Sequence, residues 1–225
     1  MPPHRTRIKI CGLTREADVD AAVQAGADAI GFVLYANSPR FVSPQRAAQL
    51  ALRLPSFVTP VLLLVNESHA FIAQATAAVP HALLQFHGDE TPDFCIAAGR
   101  PFVRAARIPR DAAGVSFDLL KYASDHAAAQ AILLDAHVEG YGGGGQSFDW
   151  TAFPWSHPLL NAKSRLVLSG GLTPANVADG IAIVRPWAVD VSSGVEQSKG
   201  IKDADKMFAF VAAVRAADAQ QYRPS

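Results

Sequence analysis

Two residues at the ends of apolar segments are candidates for acid–base chemistry. Cys11 closes the segment Arg7 to Cys11, and Asp135 closes the segment Ala131 to Asp135. An ionised thiol is a base or a nucleophile, and a carboxyl group at the end of a buried strand is costly unless it is solvated or paired. A substrate held between the two residues would meet a base on one side and an acid on the other.

A free cysteine is more often a small buried hydrophobe than a reactive group. We interpret Cys95 in that way, because it lies inside the apolar segment Phe94-Cys95-Ile96-Ala97. Cys11 differs because it ends a strand. Side chains alternate across a strand, so Lys9 shares the face of Cys11 and would place positive charge near the thiol.

Glycines follow two later apolar segments and predict a phosphate site. Ser169 is followed by Gly170-Gly171-Leu172, and the last segment runs into Ser192-Ser193-Gly194. Glycine lets backbone N–H groups approach an anion closely, and a helix N-terminus adds a positive dipole. Either loop alone is as well explained by an ordinary turn. Together, the residues Gly170, Gly171, Ser192, Ser193 and Gly194 favour phosphate binding.

Several other polar residues lie near the ends of apolar segments. Arg40 could clamp a carboxylate through two hydrogen bonds, although a solvated surface arginine is the simpler alternative. Gln85 and His87 end one segment, Arg107 ends the next, and Asp190 shares a face with Ser192. A structural hydrogen bond for His87 and a structural ion pair for Arg107 remain open alternatives to substrate binding.

These residues would be positioned by eight short apolar segments that alternate with segments of helical period. Each segment has four to six residues rich in Val, Ile and Leu, as expected for strands of a buried parallel sheet. The predicted strands are Arg7 to Cys11, Ala29 to Val33, Pro60 to Val65, Leu83 to Phe86, Phe102 to Arg107, Ala131 to Asp135, Arg165 to Ser169 and Ala188 to Ser192.

Helix starts are marked by a hydroxyl residue followed by proline. Ser43-Pro44, Thr91-Pro92 and Thr173-Pro174 each offer an N-cap and a proline at the first helical position. We expect Thr14 to cap the first helix and Gly26 to end it. The last helix should pack one apolar face on the sheet, with Met207, Phe210, Val211 and Val214.

The fold class that these elements predict is a single (β/α)8 TIM barrel covering residues 1–225 as one catalytic domain. An open doubly wound sheet is the alternative, but no Gly-x-Gly-x-x-Gly follows the first strand. In such a barrel the active site lies at the carboxyl ends of the strands, and phosphate is usually bound after strands seven and eight.

Composition excludes several other classes of protein. With 20 basic and 20 acidic residues, the chain lacks the basic surface of a nucleic-acid-binding protein. No apolar run is long enough to cross a membrane, and no signal peptide is apparent. With two cysteines and scattered histidines we expect no metal site and a cytoplasmic protein. We expect a monomer rather than a dimer, although an apolar helix face can serve a core or an interface equally well.

The motifs together resemble one family, phosphoribosylanthranilate isomerase of tryptophan biosynthesis. The resemblance runs in order from residue 7 to about residue 200. It is carried by Lys9-Ile10-Cys11-Gly12-Leu13-Thr14, Gly31-Phe32-Val33, Ser38-Pro39-Arg40-Phe41-Val42-Ser43, Gln85-Phe86-His87-Gly88, Leu133-Leu134-Asp135, Ser147-Phe148-Asp149-Trp150, Ser169-Gly170-Gly171-Leu172 and Asp190-Val191-Ser192-Ser193-Gly194-Val195-Glu196.

The resemblance implies an Amadori rearrangement of N-(5-phosphoribosyl)anthranilate to 1-(2-carboxyphenylamino)-1-deoxyribulose 5-phosphate, without metal or cofactor. It implies that Asp135 is the general acid and Cys11 the general base. It also implies that Arg40 recognises the anthranilate carboxylate and that the loops at Gly171 and Ser193-Gly194 hold the phosphate. The chain departs from the family pattern at Gly144, where a threonine is usual, which puts the closure of that loop in question.

Two alternatives stay open. Another phosphosugar isomerase on the same barrel is one, although the corresponding enzyme of histidine biosynthesis has an aspartate at the position of Cys11. Indole-glycerol-phosphate synthase would need a lysine and glutamates that Val61 to Val65 does not supply. The second alternative is a non-catalytic phosphosugar-binding module, which would need the glycine loops but neither Cys11 nor Asp135.

Overall fold

A computed structural model describes residues 5–109, 117–136, 147, 149–157, 160 and 165–221 of the chain. The principal elements alternate between strands and helices along the chain. They are β1 (Arg7–Cys11), α1 (Glu16–Ala25), β2 (Ala29–Val33), α2 (Pro44–Ala51), β3 (Thr59–Leu64), α3 (His69–Ala78), β4 (Leu83–Phe86), α4 (Pro92–Ala97), β5 (Phe102–Ile108), α5 (Leu119–Asp125), β6 (Ala131–Ala136), β7 (Arg165–Leu168), α6 (Val177–Val184), β8 (Ala188–Val191), β9 (Glu196–Ser198), β10 (Ile201–Lys202) and α7 (Ala204–Gln221).

The strands β1 to β8 form a closed parallel barrel in sequence order, with β8 paired back onto β1. The predicted (β/α)8 barrel is therefore confirmed. The predicted bounds of β1, β2 and β4 match the structure. The bounds of β5, β6, β7 and β8 differ by one residue at one end, and β3 is shifted by one residue at both ends. Short 3-10 helices at Trp150–Ala152 and Ser193–Val195, and the antiparallel pair β9–β10, lie outside this regular pattern.

Alternation along each strand separates two apolar layers. Ile8 and Ile10 of β1 belong to the large cluster between the barrel wall and the helices. The inward side chains form smaller clusters, one built around Leu133 and Val167 and another around Cys11. The predicted orientation of Lys9 and Cys11 into the barrel is therefore confirmed, because both are buried and neither shares the cluster of Ile8.

The helix caps follow the sequence in most places. The hydroxyls of Ser43 and Thr91 accept hydrogen bonds from backbone N–H groups in the first turns of α2 and α4, as predicted. Gly26 ends α1 in the left-handed conformation, with φ of 99°. Met207, Phe210, Val211 and Val214 are buried on one face of α7, as expected.

Two predicted helix starts are wrong. Thr14 does not cap α1, because its hydroxyl donates instead to the carbonyl of Gly200, 2.9 Å away. Thr173-Pro174 does not open a helix, because Asn176 accepts a hydrogen bond from the backbone N–H of Thr173 and closes a turn there. The helix α6 begins after that turn, at Val177.

No helix in the part of the chain that the structure describes has both the length and the apolar character needed to cross a membrane.

Candidate active site

The candidate acid, Asp135, lies near the carboxyl end of β6 and is bound to a histidine from β4. His87 Nε2 is 3.0 Å from Oδ2 of Asp135, and His87 Nδ1 is 3.0 Å from Nε2 of Gln85. All three side chains are buried, with Asp135 7 % exposed. The predicted residues Gln85 and His87 are thus joined to Asp135 in one chain of hydrogen bonds.

A buried ion pair lies on the other side of the barrel. Lys9 Nζ donates to Oδ1 of Asp190 over 2.9 Å, and the hydroxyl of Ser169 donates to Oδ2 over 3.3 Å. Burial opposes the charge of Lys9, but the neighbouring carboxylate of Asp190 raises the pKa of Lys9 above its ordinary value. Asp190, predicted to bind substrate, holds the ammonium of Lys9 in the structure.

The candidate base, Cys11, is 4 % exposed and lies against Val33, Leu63 and Val65. Gly31 of β2 makes room for it, because a Cβ on Gly31 would lie 2.6 Å from the sulfur. Burial raises the pKa of the Cys11 thiol, while the ammonium groups of Lys9 and Lys202 act in the opposite direction. The effect of burial is the larger of the two.

Arg40 is buried, so the alternative of a solvated surface arginine is wrong. Its Nε and Nη2 donate to the two carboxylate oxygens of Glu196, each over 2.7 Å. This bidentate pair occupies two of the five N–H bonds of the guanidinium. Its aliphatic stem passes over Gly12, where an added Cβ would overlap the Arg40 side chain. In the free protein Arg40 therefore binds a carboxylate of its own chain.

Lys202 joins the Arg40–Glu196 pair to the end of β8. Its Nζ donates to Oε1 of Glu196 over 2.9 Å and to the carbonyl of Ser192 over 3.0 Å. The hydroxyl of Ser192 in turn donates to the carbonyl of Cys11 over 3.0 Å. Burial lowers the pKa of Lys202, and the pKa of Glu196 is lowered, against its own burial, by Arg40 and Lys202.

The predicted phosphate loops are in contact with each other. A Cβ on Gly194 would overlap the carbonyl oxygen of Leu172, so the loop after β8 packs directly on the loop after β7. Gly170 and Gly171 have φ of 79° and 67°, which favours glycine. Ser193 and Gly194 begin a 3-10 helix, so backbone N–H groups that lack helical partners lie at this point.

Arg107 forms an ion pair with Asp89 in the loop after β4, as the structural alternative proposed. A second arginine of β5, Arg104, supports the same loop from outside the barrel by donating to the carbonyls of Phe86 and Gly88. Glu90 accepts from the backbone N–H of Gly88. These bonds fix the backbone on both sides of His87.

The order of strands around the barrel decides which predicted residues meet. The strands β7 and β8, which carry the glycine loops, lie between β6 with Asp135 and β1 with Cys11. Arg40, His87 and Arg107 belong to the remaining arc of strands. A phosphosugar anchored at the glycine loops would therefore have the carboxyl group on one flank and the thiol on the other.

Sequence reasoning missed three residues of this region. The sequence did contain a signal for Gly31, because a glycine inside a strand often marks a place where another group approaches the backbone closely. Glu196 gave little signal, because its partner Arg40 is 156 residues away in the sequence. Lys202 is six residues from Glu196, but no local pattern predicts that the two side chains meet. The glycine-rich segment 142–145, including Gly144, lies outside the residues that the structure describes.

The chain was compared with known proteins. The sequence model of N-(5'-phosphoribosyl)anthranilate isomerase matches residues 8–213. The N-(5'-phosphoribosyl)anthranilate isomerase of Methylibium petroleiphilum is 62 % identical over 216 residues, covering 96 % of this chain and 97 % of that protein.

Two solved structures of the same enzyme resemble the barrel. One contains monomers generated from the dimeric phosphoribosylanthranilate isomerase of Thermotoga maritima, with 34 % identity, a TM-score of 0.79, and coverage of 94 % of this chain and 99 % of that one. The other is a phosphoribosylanthranilate isomerase in complex with reduced 1-(o-carboxyphenylamino)-1-deoxyribulose 5-phosphate, with 35 % identity, a TM-score of 0.77 and the same coverage.

The length of the family match and the identity to curated relatives decide the assignment, and the barrel agrees with it. The chain belongs to the N-(5'-phosphoribosyl)anthranilate isomerase family and is an isomerase of tryptophan biosynthesis.

Proposed function

We propose that the chain catalyses the Amadori rearrangement of N-(5-phosphoribosyl)anthranilate with Asp135 as the general acid and Cys11 as the general base. The observation that carries the proposal is the arrangement of strands: β6 and β1 bear the two groups and flank the two glycine loops. The complex of a relative with a reduced product supports a phosphosugar ligand.

The first step opens the ribose ring. The protonated carboxyl of Asp135 gives its proton to the ring oxygen while the bond from that oxygen to C1′ breaks. The lone pair of the anthranilate nitrogen forms the double bond of a Schiff base at C1′. The carboxyl group must be protonated before this step, and His87 leaves one of its oxygens, Oδ1, without a bond to the imidazole.

The second step removes the proton from C2′. The thiolate of Cys11 accepts it, and the electron pair of the C2′–H bond forms the C1′–C2′ double bond of an enolamine while the C1′–N double-bond pair returns to the nitrogen. The enolamine then becomes the ketone as a proton moves from the 2′ oxygen to C1′. The thiolate is the working form, so the ammonium groups of Lys9 and Lys202 favour this step against the burial of the sulfur.

Two charged ends of the substrate need recognition. Phosphate would bind at Gly170, Gly171, Ser192, Ser193 and Gly194, where backbone N–H groups and glycines come together. The anthranilate carboxylate would bind on the arc of Arg40, His87 and Arg107. Arg40 would use N–H bonds that the pair with Glu196 leaves over.

The test is conversion of freshly prepared N-(5-phosphoribosyl)anthranilate by the purified protein in excess chelator, with separation of the two isomers. We expect Cys11→Ala and Asp135→Asn each to lower kcat by about 10²- to 10⁴-fold, the usual range for loss of an acid or base. Cys95→Ala is the matched control, because Cys95 is a buried cysteine outside the barrel interior.

Full activity in either variant would contradict the assigned roles. A folded wild-type protein that binds the substrate without converting it would instead favour the binding-module alternative. Turnover that needed added metal would contradict the expectation of cofactor-free catalysis.

We also infer that residues 1–225 act as one catalytic domain, as a monomer and in the cytoplasm. Every residue of the proposed site comes from one chain, and both cysteines are free. Light scattering of the purified protein tests the monomer, and cell fractionation tests the compartment. A dimer found by light scattering would contradict the expected monomer.

A further inference from the structure

The amide of Gln85 touches neither of the residues assigned to acid–base chemistry, yet it is 1 % exposed and contacts the histidine that binds Asp135. A neutral imidazole carries one N–H, and the hydrogen bond made by one ring nitrogen decides which nitrogen has the proton. Through its hydrogen bond to Nδ1, the side chain of Gln85 therefore influences whether the ring nitrogen that faces Asp135 carries the proton.

The amide of Gln85 has two orientations with different consequences. In the structure Nε2 faces Nδ1 of His87, and Oε1 is buried without a partner among the described residues. The reverse orientation would bury an NH2 group with two unpaired donors. In the observed orientation Nε2 has one hydrogen bond among the described residues, so its second N–H and Oε1 lack a partner, and the two orientations differ by one carbonyl oxygen against one N–H. A buried carbonyl oxygen without a partner is tolerated better than a buried N–H without one, so the observed orientation is favoured.

With the amide in this orientation, Nδ1 of His87 accepts a hydrogen bond and the ring proton resides on Nε2. That N–H donates to Oδ2 of Asp135 over 3.0 Å. We propose that Gln85 is a positioning residue that selects the Nε2–H tautomer of neutral His87, so that His87 occupies Oδ2 of Asp135 and leaves Oδ1 to carry the transferable proton. This inference rests on the proposed role of Asp135.

The geometry around Oδ1 agrees with this assignment. A Cβ on Gly170 would lie 3.0 Å from Oδ1, so this oxygen points toward the loop after β7, where phosphate binding is proposed. The opposite tautomer would turn a ring lone pair toward Oδ2. Asp135 would then have to place its own proton in the bond to His87, away from the substrate.

Other charged groups near His87 are already paired. Arg107 and Asp89 form an ion pair at the mouth, and Arg104 and Glu90 form another behind the loop after β4. The pair of Lys9 and Asp190 belongs to β1 and β8. Gln85 and Asp135 are the two groups for which the structure gives a hydrogen bond to the imidazole.

The first test is the tautomer itself, measured by two-bond nitrogen–proton correlations of His87 in the full-length protein. We expect the Nε2–H form in the wild type, a mixture in Gln85→Met, and the imidazolium in Gln85→Glu. A carboxylate at position 85 accepts only, so it would require a proton on Nδ1. An Nδ1–H form in the wild type, or no change in Gln85→Met, would overturn the proposal.

The second test is a double-mutant cycle in kcat. Gln85→Met should lower kcat by about 10-fold with little change in KM, the lower part of the effect of acid–base groups. His87→Gln places a fixed N–H donor near the position of Nε2, so in that background Gln85→Met should change kcat less than about 2-fold. An equal loss in both backgrounds would mean that Gln85 acts by packing alone and would overturn the proposal.

Failure of this inference can be distinguished from failure of the proposed function. If Asp135→Asn keeps full activity, the role of Asp135 as acid fails whatever the tautomer of His87. In Gln85→Glu, the imidazolium would hold Asp135 as a carboxylate, so the pH above which kcat/KM falls should move to lower pH. A shift of this pH to a higher value would contradict the proposed link between Gln85, His87 and Asp135.

Discussion

The thiol side and the carboxyl side of the barrel mouth differ in the charge that surrounds the reactive group. Cys11 has ammonium groups on two sides, Lys9 and Lys202, each held by a carboxylate. Asp135 is bound by an imidazole, which in turn contacts an uncharged amide. The two sides are separated by the strands that carry the glycine loops.

This difference corresponds to the opposite protonation states that the two groups need. A thiol becomes a base when nearby cations favour the thiolate, and a buried thiol without them stays protonated. A carboxyl group can act as an acid only while it keeps its proton, and a fixed cation beside it would oppose that state. The barrel therefore places buried ammonium groups near the sulfur and an imidazole beside the carboxyl.

The largest expected effect comes from removing one charge on the thiol side. Lys9→Met would leave the carboxylate of Asp190 buried without its partner, and we expect the free energy of unfolding to fall by about 3 to 5 kcal/mol. The measurement is urea denaturation followed by circular dichroism. Ser169→Ala is a milder control, since it removes only the longer of the two bonds to Asp190.

The double variant Lys9→Met/Asp190→Leu separates stability from catalysis. Replacing both charges by apolar groups should recover most of the stability, because no unpaired charge remains. Activity should stay low, because the thiolate has lost one of its two ammonium neighbours. Recovery of both stability and activity would show that the pair serves the fold alone.

An intermediate effect is expected at Arg40. Arg40→Met should raise KM by about 10- to 100-fold with a small change in kcat, as for the loss of one charge-assisted hydrogen-bonded contact to the substrate. Arg46→Met is the matched control, because Arg46 makes a similar bidentate pair with Glu16 on the surface. Equal KM values in the two variants would contradict a role of Arg40 in binding the anthranilate carboxylate.

The smallest effect concerns the titration of Cys11. In a Cys95→Ala background Cys11 is the one remaining thiol, and the difference in ultraviolet absorbance from the Cys11→Ala/Cys95→Ala variant reports its thiolate. Because burial raises the pKa of this thiol, the thiolate should appear only as pH rises past the ordinary midpoint of 9.0. Removing Lys9 together with Asp190 should raise the midpoint further, because the ammonium of Lys9 lowers the pKa of the thiol by more than the carboxylate of Asp190 raises it. A midpoint below the ordinary value would contradict the burial effect.

Local sequence signals were sufficient for most of the barrel. The strands β1, β2 and β4 were predicted with their observed bounds, because each is a short apolar run followed by a turn or a helix start. The two wrong helix starts have the same cause: each threonine makes a hydrogen bond to a residue that the prediction did not consider. Thr14 and Thr173 were read as caps from the neighbouring residues, but the hydroxyl of Thr14 bonds to Gly200 and the N–H of Thr173 bonds to Asn176.

The residues of the candidate site could be predicted from the sequence, but the ion pairs that they form could not. Lys9 and Asp190 are 181 residues apart and meet because closure of the barrel places them opposite each other in the register of β1 and β8. Arg40 and Glu196 are 156 residues apart and meet outside the barrel sheet, between the loop after β2 and the short strand β9. No local pattern encodes such pairings, because they depend on the closure of the whole sheet.

The most direct test of the acid–base assignment is the isotope effect on kcat with substrate deuterated at C2′, measured in Cys11→Ser and Asp135→Asn. Weakening the base makes proton removal from C2′ rate-limiting, so Cys11→Ser should show a clear normal primary isotope effect. Weakening the acid makes ring opening rate-limiting, so Asp135→Asn should show an effect close to unity. The reverse pattern, or the same effect in both variants, would contradict the assignment of the thiol and the carboxyl to separate steps.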